Sequence, residues 1–532
     1  MINSKCGVLN NLVQIRNCFC QTYHRLLFYS TSPKYKTDDL VGVVGLEIHA
    51  QINSVSKLFS GAGTDFASPV NHNVSLFDAS IPGTLPVLNR RCVEAGVLTA
   101  LALKSTLSPV SMFDRKHYFY ADMPQGYQIT QQRMPLARGG QLQFQVVIPG
   151  NKKPSYTRTA RLHQLQLEQD SGKSLHDPVL SRSLIDLNRA GVPLMELVFE
   201  PDLVNGDEAA ALVKELTLVL TKLNTCLCKM EEGGMRVDAN ISVHKPGAPL
   251  GVRTEVKNIG SVRAVARAVN YEIQRQQDVL RKGGSVVNET RSWDAERSCT
   301  VPMRDKEEKQ DYRFMPEPNL PPLRLDMDGT CRHPHMVSVP ELLAALPELP
   351  EQTRLRLQAD YPLSPDITMR LVNEPELQEM FECVVRDNPS CSHVIAANLL
   401  TIELMTLVNK DLCSLGSGRP STKDIGVLTE LFQDKKINLQ TVRTVLEILA
   451  GDSTQSATEI ITNQEMWLVS DPGEITRICE EAIQRNPKLV EAYKKGKTKI
   501  FSALLGDIAK VTKNRADMSL VTKQLQELLK KE

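Results

Sequence analysis

The fold of this chain is decided by the stretch Val41-Gly-Val-Val-Gly-Leu-Glu-Ile-His-Ala-Gln-Ile52, in which apolar and polar residues alternate. Alternation with a period of two predicts a β-strand that packs one face on a core. The other face carries Glu47 and His49, which lie roughly 7 Å apart along a strand. Two such groups can share a cation or a phosphate. An edge strand with a polar outer face explains the same pattern, so this stretch alone leaves both interpretations open.

The composition is ordinary for a globular protein, with 532 residues, 41% hydrophobic, 23% charged and a net charge of +1. This length accommodates about two to four domains. A net charge this small means that any binding of nucleic acid must be local. No apolar run approaches the ~18 residues of a membrane helix, so we expect no membrane insertion. The twelve cysteines form no Cys-x-x-Cys pair, which favours a reducing compartment over a zinc ribbon or a disulfide framework.

Residues 1–37 differ from the rest of the chain because they contain Lys and Arg but no Asp or Glu. Apolar residues are interspersed among these basic residues. A basic leader of this kind, free of acidic residues, predicts a mitochondrial transit peptide and therefore a protein of the mitochondrial matrix. A disordered N-terminal tail is the alternative.

Three patterns follow the leader. Residues 38–330 are rich in strand signals, with helical periodicity at about 92–107, 207–223 and 262–281. Short helices broken by Pro, Asn and Asp follow up to about residue 465. The tail from about residue 466 is helical and basic, with twelve Lys and Arg against five Asp and Glu between Arg485 and Glu532. This tail is a candidate for phosphate contacts, and a solvated lysine-rich surface is the alternative.

Four more stretches repeat the strand with one polar face. The residues on these faces are Gln166, Glu168 and Asp170; Glu196 and Glu200; Arg236, Asp238, Asn240 and Ser242; and Arg253, Glu255 and Lys257. Five such faces predict a sheet, or a pair of sheets, whose polar side lines a cleft. Carboxylates suit Mg²⁺, and Arg and Lys suit phosphates, so the set favours phosphoryl transfer. The chain has no P-loop, GxSxG elbow or HExxH helix. Ion pairs that only hold twisted strands together are the alternative.

Longer motifs in the same region match a known family. They are Val44-Gly-Leu-Glu-Ile-His-Ala-Gln51, Lys116-His-Tyr-Phe-Tyr-Ala-Asp122, Gly126-Tyr-Gln-Ile-Thr-Gln131, Leu167-Glu-Gln-Asp-Ser-Gly-Lys173, Asp186-Leu-Asn-Arg-Ala-Gly-Val-Pro193, Glu231-Glu-Gly-Gly-Met-Arg-Val-Asp238, Thr254-Glu-Val-Lys-Asn258 and Asp311-Tyr-Arg-Phe-Met-Pro-Glu-Pro318. On these motifs the chain resembles the B-subunit family of the Glu-tRNA(Gln) and Asp-tRNA(Asn) amidotransferases. The resemblance covers nearly everything after about residue 40.

The resemblance implies an α+β fold. A cradle domain of antiparallel sheets, similar to glutamine synthetase, would span residues 38–330 and bind ATP, Mg²⁺ and the acceptor end of Glu-tRNA(Gln). An all-helical domain (335–465) and a small helical tail domain (466–532) would hold the body of the tRNA.

The resemblance also implies a reaction and its partners. ATP would phosphorylate the γ-carboxylate of the tRNA-bound glutamate. Ammonia, released from glutamine by the A subunit of a heterotrimer that also contains the B and C subunits, would then displace the phosphate to give Gln-tRNA(Gln). A non-catalytic tRNA-binding scaffold and a metal-dependent ligase for a free amino acid are the alternative functions.

Site residues follow from the resemblance and from chemistry. The resemblance places metal ligands at Glu47, His49, Glu168 and Glu196. The chemistry of the side chains favours Arg236 and Lys257 for phosphate contacts, and Asp238 and Glu255 for a second metal or the substrate. Glu168 and Lys116 are the catalytic candidates at the mouth of an ammonia path. In the basic tail, tRNA contacts are expected at Lys510, Lys513 and Arg515.

Two departures from the family pattern matter. Many members carry a four-cysteine zinc site, whose positions here correspond to Ser60, Ala62, Ser75 and Asp78, so we expect no zinc. Gln125 stands where the family often has Lys. If that Lys lines the ammonia path, its contribution here is altered or taken over by a water-mediated contact.

Overall fold

The computed structural model describes residues 40–117, 119–147, 155–303, 313–331, 333, 335–451, 454–494 and 500–531. The predicted transit peptide lies outside these residues. The chain divides into two compact units between Pro347 and Glu348. All strands of the described chain lie in the first unit, and the second is helical. The α+β fold class and the order of a sheet-rich region before a helical one are therefore confirmed.

The first unit is built on a ten-stranded sheet. Its strands, with those of two smaller sheets, are β1 (Val41–Gln51), β2 (Thr106–Leu107), β3 (Val110–His117), β4 (Tyr127–Met134), β5 (Ala137–Arg138), β6 (Gln141–Val146), β7 (Tyr156–Gln169), β8 (Lys173–Asp177), β9 (Arg182–Asp186), β10 (Pro193–Phe199), β11 (Met235–His244), β12 (Thr254–Ile259), β13 (Thr290–Asp294), β14 (Cys299–Pro302), β15 (Arg313–Pro316), β16 (Leu323–Asp326) and β17 (Val337–Ser338). The large sheet has the order β14-β13-β12-β11-β1-β10-β7-β5-β2, with β6 paired to β7. A second sheet has the order β15-β3-β16-β17, with β4 paired to β3, and β8 and β9 form a separate hairpin.

Strand β1 lies in the middle of the large sheet. It pairs in antiparallel fashion with β10 on one side and with β11 on the other. The edge-strand interpretation is therefore wrong, because both edges of β1 carry a neighbouring strand. Val44, Leu46 and Ile48 on its apolar face are completely buried, and each stabilises the fold by roughly 2 kcal/mol.

Four helices belong to the first unit: α1 (Arg90–Ala102), α2 (Gly206–Lys222), α3 (Val262–Arg281) and α4 (Val339–Ala344). The helix predicted at 92–107 ends earlier, because Thr106 and Leu107 pair with β5 as strand β2. The other two predicted helices are confirmed as α2 and α3. A Cβ atom on Gly206 would lie 2.1 Å from the carbonyl oxygen of Ala266, so only glycine lets α2 begin against α3.

The second unit contains α5 (Pro350–Asp360), α6 (Pro365–Asn373), α7 (Pro375–Asp387), α8 (His393–Asn398), α9 (Met405–Val408), α10 (Thr422–Gln433), α11 (Leu439–Ala450), α12 (Ala457–Asn463), α13 (Pro472–Arg485), α14 (Pro487–Lys494), α15 (Phe501–Val511) and α16 (Met518–Lys531). A π-helix (Leu399–Leu404) joins α8 to α9, and a 3-10 turn (Leu415–Ser417) follows α9. Proline occupies the first turn of several of these helices, where it fits, and it prevents the preceding helix from continuing through it.

Two hydrophobic cores stabilise the second unit. The first runs from Leu357 to Ile461 and the second from Ile475 to Leu529. We continue to propose a domain boundary near residue 466, between these cores. Within the described residues, no helix combines the length and apolar character needed to cross a bilayer.

Candidate active site

The polar strand faces of the sequence lie side by side in the large sheet. Strands β12, β11, β1, β10 and β7 are consecutive neighbours. Their register places Glu47 opposite Asp238, and His49 between Arg236 and Glu196. Helix α3 packs against the apolar face of this sheet, where its Ile273 contacts Gly42 of β1. The polar side chains therefore project together from the opposite face.

These side chains line a cleft of about 1140 Å³. The residues selected from the sequence that line it are Glu47, His49, Lys116, Glu168, Glu196, Arg236, Asp238, Glu255 and Lys257. Lys116 comes from β3, a strand of the second sheet. The fold thus brings together residues that lie up to about 210 positions apart in the chain.

Glu200 does not belong to this cleft. The alternation of β10 continues to Glu200, because the register shift between Val198 and Phe199 skips His163 on β7 and no residue of β10. Glu200 instead pairs with His163, whose Nδ1 lies 3.0 Å from Glu200 Oε1. Glu200 thus lies on the same strand face as Glu196, as predicted, but roughly 13 Å further along the strand and outside the cleft.

Three of the predicted metal ligands form a compact group. One ligand atom each of His49, Glu168 and Glu196 lies within 4.8 Å of the others. Glu168 Oε2 is buried and, among the described residues, has no hydrogen-bond partner. Such an oxygen is costly to bury, and a bound cation would satisfy it. Two carboxylates and one imidazole are a donor set that suits a divalent cation.

Glu47, the fourth predicted ligand, also lines the cleft but has a protein partner. Asn240 donates a hydrogen bond from Nδ2 to Glu47 Oε1 at 2.8 Å. This bond fixes one oxygen of the carboxylate. Glu47 is not among the three residues whose ligand atoms lie within 4.8 Å of one another, although it lines the same cleft.

Burial governs the protonation of the three-residue group. It raises the pKa of Glu168 and of Glu196, while the positive charge of Lys116 acts in the opposite direction. It lowers the pKa of His49, which favours the neutral imidazole that can bind a metal. The two carboxylates are thus short of positive charge, and a divalent cation would supply it.

The basic residues of the cleft are held by carboxylates. Arg236 Nη2 lies 2.8 Å from Asp170 Oδ2. Lys257 Nζ lies 3.4 Å from Asp238 and 3.3 Å from Glu255. Burial acts to lower the pKa of Lys257, but these two carboxylates raise it above its ordinary value. Both side chains therefore present fixed positive charge, as phosphate binding requires.

Two glutamines with a role in this site were not selected from the sequence. Gln128 Nε2 donates to Glu168 Oε1, and Gln166 Nε2 donates to Glu196 Oε2, each at 2.6 Å. Gln166 was recognised only as part of a polar strand face, and Gln128 only as part of a family motif. Their partners lie on other strands, so no local pattern in the sequence identifies the pairing.

The residues that depart from the family pattern make ordinary protein contacts. Gln125 donates to the Phe77 carbonyl and accepts from Gln169, each at 3.1 Å. Ser60 donates to Asp78 at 3.1 Å, and Asp78 also accepts from the completely buried Lys57 at 3.1 Å.

The three tail residues lie near the turn between α15 and α16. Lys510 and Lys513 are exposed. Arg515 is half-buried, and it donates to the carbonyl groups of Glu465 and Thr512. Arg515 therefore joins chain segments, whereas the two lysines face solvent.

Comparison with known proteins covers both units of the chain. Residues 42–330 match the family model described as the GatB/GatE catalytic domain, and residues 379–529 match the GatB domain. The chain belongs to the GatB family of amidotransferase B subunits. It is therefore one component of a multi-subunit enzyme that forms a carbon–nitrogen bond.

Individual GatB relatives are similar over most of their length. The B subunit of the mitochondrial glutamyl-tRNA(Gln) amidotransferase of Aedes aegypti is 55% identical over 92% of this chain and 93% of its own. The human protein of the same name is 45% identical over 92% of this chain and 88% of its own. The B subunit of the aspartyl/glutamyl-tRNA(Asn/Gln) amidotransferase of Rickettsia bellii is 41% identical over 92% and 97%.

These relatives establish the setting of the reaction. Enzymes that contain GatB convert mischarged Glu-tRNA(Gln) to Gln-tRNA(Gln), and this amidotransferase family uses ATP. The animal relatives are mitochondrial proteins. The chain is accordingly a mitochondrial GatB protein that serves mitochondrial translation.

Proposed function

We propose that the cleft of the large sheet is where ATP activates the tRNA-bound glutamate and ammonia amidates it. The observation that carries this proposal is the grouping of His49, Glu168 and Glu196 in one cleft with Arg236 and Lys257. Phosphoryl transfer needs positioned positive charge more than a covalent catalyst. Both the cation site and the fixed basic groups that meet this requirement lie in this cleft.

His49, Glu168 and Glu196 would hold Mg²⁺, with Glu47 beside them. The unpartnered oxygen of Glu168 and the raised pKa of both buried carboxylates support a cation at this point. When bound, Mg²⁺ would neutralise charge on the phosphates of ATP. No zinc is proposed, since Ser60, Ala62, Ser75 and Asp78 offer no thiolate.

Arg236 and Lys257 would bind the phosphates. Asp238 and Glu255, which also pair with Lys257, would hold a second metal or the substrate. An oxygen of the glutamate γ-carboxylate attacks the terminal phosphorus of ATP, the bond to ADP breaks, and an acyl phosphate forms. Ammonia then attacks the acyl carbon, phosphate leaves, and one proton is released from the nitrogen.

Glu168 and Lys116 are the catalytic candidates for the second step. A carboxylate whose pKa is raised by burial is suited to accept the proton that the nitrogen loses. Lys116 supplies positive charge beside Glu168 and Glu196, and this charge would stabilise the departing phosphate. Glu168 therefore has two proposed roles, as metal ligand and as proton acceptor.

The ammonia would come from a partner, because the chain contains no recognisable Ser/Lys amidase motif. We propose that the A and C subunits complete the enzyme and that the A subunit supplies the ammonia. The first unit, up to Pro347, would form the catalytic cradle, while the helical region from Glu348 to about residue 465 and the tail (466–532) would bind the body of Glu-tRNA(Gln). Lys510 and Lys513, with Arg515 as their neighbour, are the tail residues proposed to contact it.

The experiment is to replace Glu47 by Gln in the complex purified with its partner subunits. We expect the complex to assemble and to lose the ATP-dependent conversion of Glu-tRNA(Gln). Full activity of the variant would overturn the proposal. It would favour a non-catalytic scaffold, for which neutral side chains on the cleft face are harmless.

A further inference from the structure

A second cavity of the first unit, of about 510 Å³, lies on the outer face of helix α3. The helix contributes Arg263, Arg267, Asn270 and Tyr271 to its lining. These positions are three to four residues apart or adjacent, so they share one face of the helix. The opposite face of α3 is buried against the large sheet. We call this cavity the α3 groove.

Two guanidinium groups of the α3 groove have no ion-pair partner in the described chain. Among the residues that the structure describes, neither Arg263 nor Arg267 makes an ion pair or a side-chain hydrogen bond. Later arginines on the same helix do: Arg275 pairs with Glu272 at 2.7 Å, and Arg281 with Asp278 at 3.8 Å. Two exposed arginines one helical turn apart therefore present positive charge that no ion pair of the described chain engages, and Asp207 is the acidic residue of the groove lining.

An aromatic ring stands next to this charge. Tyr271 is 38% exposed, and its ring centroid lies 6.3 Å from that of the buried Trp293, in an edge-to-face arrangement. Trp293 supports the tyrosine ring, so that part of the ring remains open to the groove. Exposed aromatic rings beside arginines are the combination that nucleic-acid-binding proteins use for bases and phosphates.

The remaining lining residues suit a ribose. Asp207 is the acidic residue of the groove, and a carboxylate there can accept a hydrogen bond from a 2′-hydroxyl group. Asn270 Oδ1 accepts a hydrogen bond from the Gly206 N–H at 2.8 Å, so the NH₂ group of Asn270 remains available as a donor. The groove therefore combines hydrogen-bond donors, the acceptor Asp207 and the ring of Tyr271 as a stacking surface.

Part of the catalytic cleft lies immediately before helix α3 in the chain. Asn258, Ile259 and Gly260 line the cleft, and only Ser261 separates them from α3. Arg253, which also lines the cleft, has no ion pair within the described residues either. Both cavities thus contain arginines that make no ion pair within the described residues.

We infer that the α3 groove binds the ribose–phosphate backbone of the tRNA substrate, with one unpaired base stacked on Tyr271. This inference rests on the proposed function, because it takes its ligand from that reaction. The arginines without an ion pair suit a polyanionic backbone. Charge alone would not explain the exposed ring of Tyr271, and a stacked base would.

The test compares two double variants of equal charge in the complex with its partner subunits. Arg263→Gln with Arg267→Gln removes the groove charges. Arg90→Gln with Arg281→Gln removes two exposed arginines that are paired with Glu94 and Asp278. The dissociation constant for uncharged tRNA(Gln) is measured over a range of salt concentrations. We expect the slope of log affinity against log salt to fall by about 1.5 in the groove variant and to stay unchanged in the control.

Steady-state kinetics of the groove variant and tRNA binding by variants of Tyr271 give two further measurements. The groove variant should raise the KM for Glu-tRNA(Gln) and leave kcat unchanged at saturation. Tyr271→Ala should weaken tRNA binding by about 5- to 100-fold, whereas Tyr271→Phe, which keeps the ring, should bind like the wild type.

An unchanged salt slope and KM in the groove variant would overturn the inference, as would loss of the partner subunits from that complex, which would make the groove a protein-docking surface. Either result leaves the proposed reaction intact. Failure of the proposed function would appear instead as full activity when a cleft carboxylate is replaced, as in Glu47→Gln.

Discussion

Gln166 Nε2 donates a hydrogen bond to Glu196 Oε2 at 2.6 Å across the neighbouring strands β7 and β10. Gln166 in turn accepts from Gln164 Nε2 at 2.6 Å, and it also donates to Thr130 at 3.1 Å. The amide is therefore locked on both sides. It holds one oxygen of Glu196 and leaves the other directed at His49, whose Nε2 is 3.9 Å away.

Replacing Gln166 by Leu should therefore weaken cation binding without removing a ligand. Glu196 would lose the donor that orients it, and losses of this kind typically cost about 10- to 100-fold in metal affinity. The measurement is the Mg²⁺ concentration that gives half-maximal activity of the complex. Gln145→Leu, which removes an exposed amide bonded to Thr157, is the control. An unchanged Mg²⁺ requirement in the Gln166 variant would contradict the positioning role.

Replacing Glu168 by Gln should stabilise the metal-free protein while abolishing its response to Mg²⁺. Burial without a full set of partners makes the charged carboxylate costly, and a neutral amide removes that cost of about 1–3 kcal/mol. Thermal unfolding with and without Mg²⁺ measures both effects. The wild-type chain should gain stability from the cation, since a ligand that binds only the folded state raises its stability. Equal Mg²⁺-induced shifts in both proteins would exclude Glu168 as a ligand.

The stability of the first unit should depend on Glu272 in a defined pH range. Burial acts to raise the pKa of Glu272, but hydrogen bonds from Arg275, Gln276 and Thr300 lower it below the ordinary value of 4.5. The unfolded chain then binds the proton more readily than the folded one. The carboxylate therefore stabilises the fold above the unfolded pKa, and this contribution disappears as the pH falls through the lower folded value.

Glu272→Gln should accordingly lower the melting temperature at neutral pH, and the difference from wild type should narrow once the pH falls below 4.5. Glu296→Gln, at an exposed carboxylate, is the control. A difference that stays constant down to the acid limit of folding would show that Glu272 contributes by shape and not by charge.

The buried pair of Lys57 and Asp78 should show strong coupling. Their side chains are almost fully buried, with Nζ 3.1 Å from Oδ2. Lys57→Met leaves the carboxylate of Asp78 without its counter-charge and should cost about 3–5 kcal/mol. Adding Asp78→Asn removes that charge and should recover part of the loss. Chemical denaturation of the three variants measures the coupling, and strict additivity of the two changes would contradict it.

Local patterns in the sequence predicted the parts of the fold that local physics determines. The alternation of Val44, Leu46 and Ile48 gave the buried face of β1, and the helical spacing of residues 262–281 gave α3 with its correct bounds. The polar faces were recognised for the same reason, since strand alternation needs only the neighbouring residues. Membership of the family, inferred from the motifs, is confirmed by the match over residues 42–330.

The remaining features depend on partners far away in the chain. Glu200 shares the strand face of Glu196 but does not line the cleft, because the cleft covers only part of that face. The end of α1 at Ala102 depends on the pairing of Thr106 with Arg138. The bonds of Gln128 and Gln166 to the two carboxylates depend on how strands from separate parts of the chain align. Register of this kind cannot be read from one sequence, because each strand pattern fits several alignments.

The central claim is that the cleft carboxylates support ATP-dependent activation of the tRNA-bound glutamate. The most direct measurement follows radiolabelled phosphate from ATP in the purified complex, with Glu-tRNA(Gln) and ammonium chloride in place of glutamine. The wild type should release one phosphate for each Gln-tRNA(Gln) formed. Glu196→Gln should assemble, bind tRNA and retain the glutaminase activity of its partner, yet release no phosphate and form no product. If Glu196→Gln released phosphate and formed Gln-tRNA(Gln) at wild-type rates, the account would be contradicted.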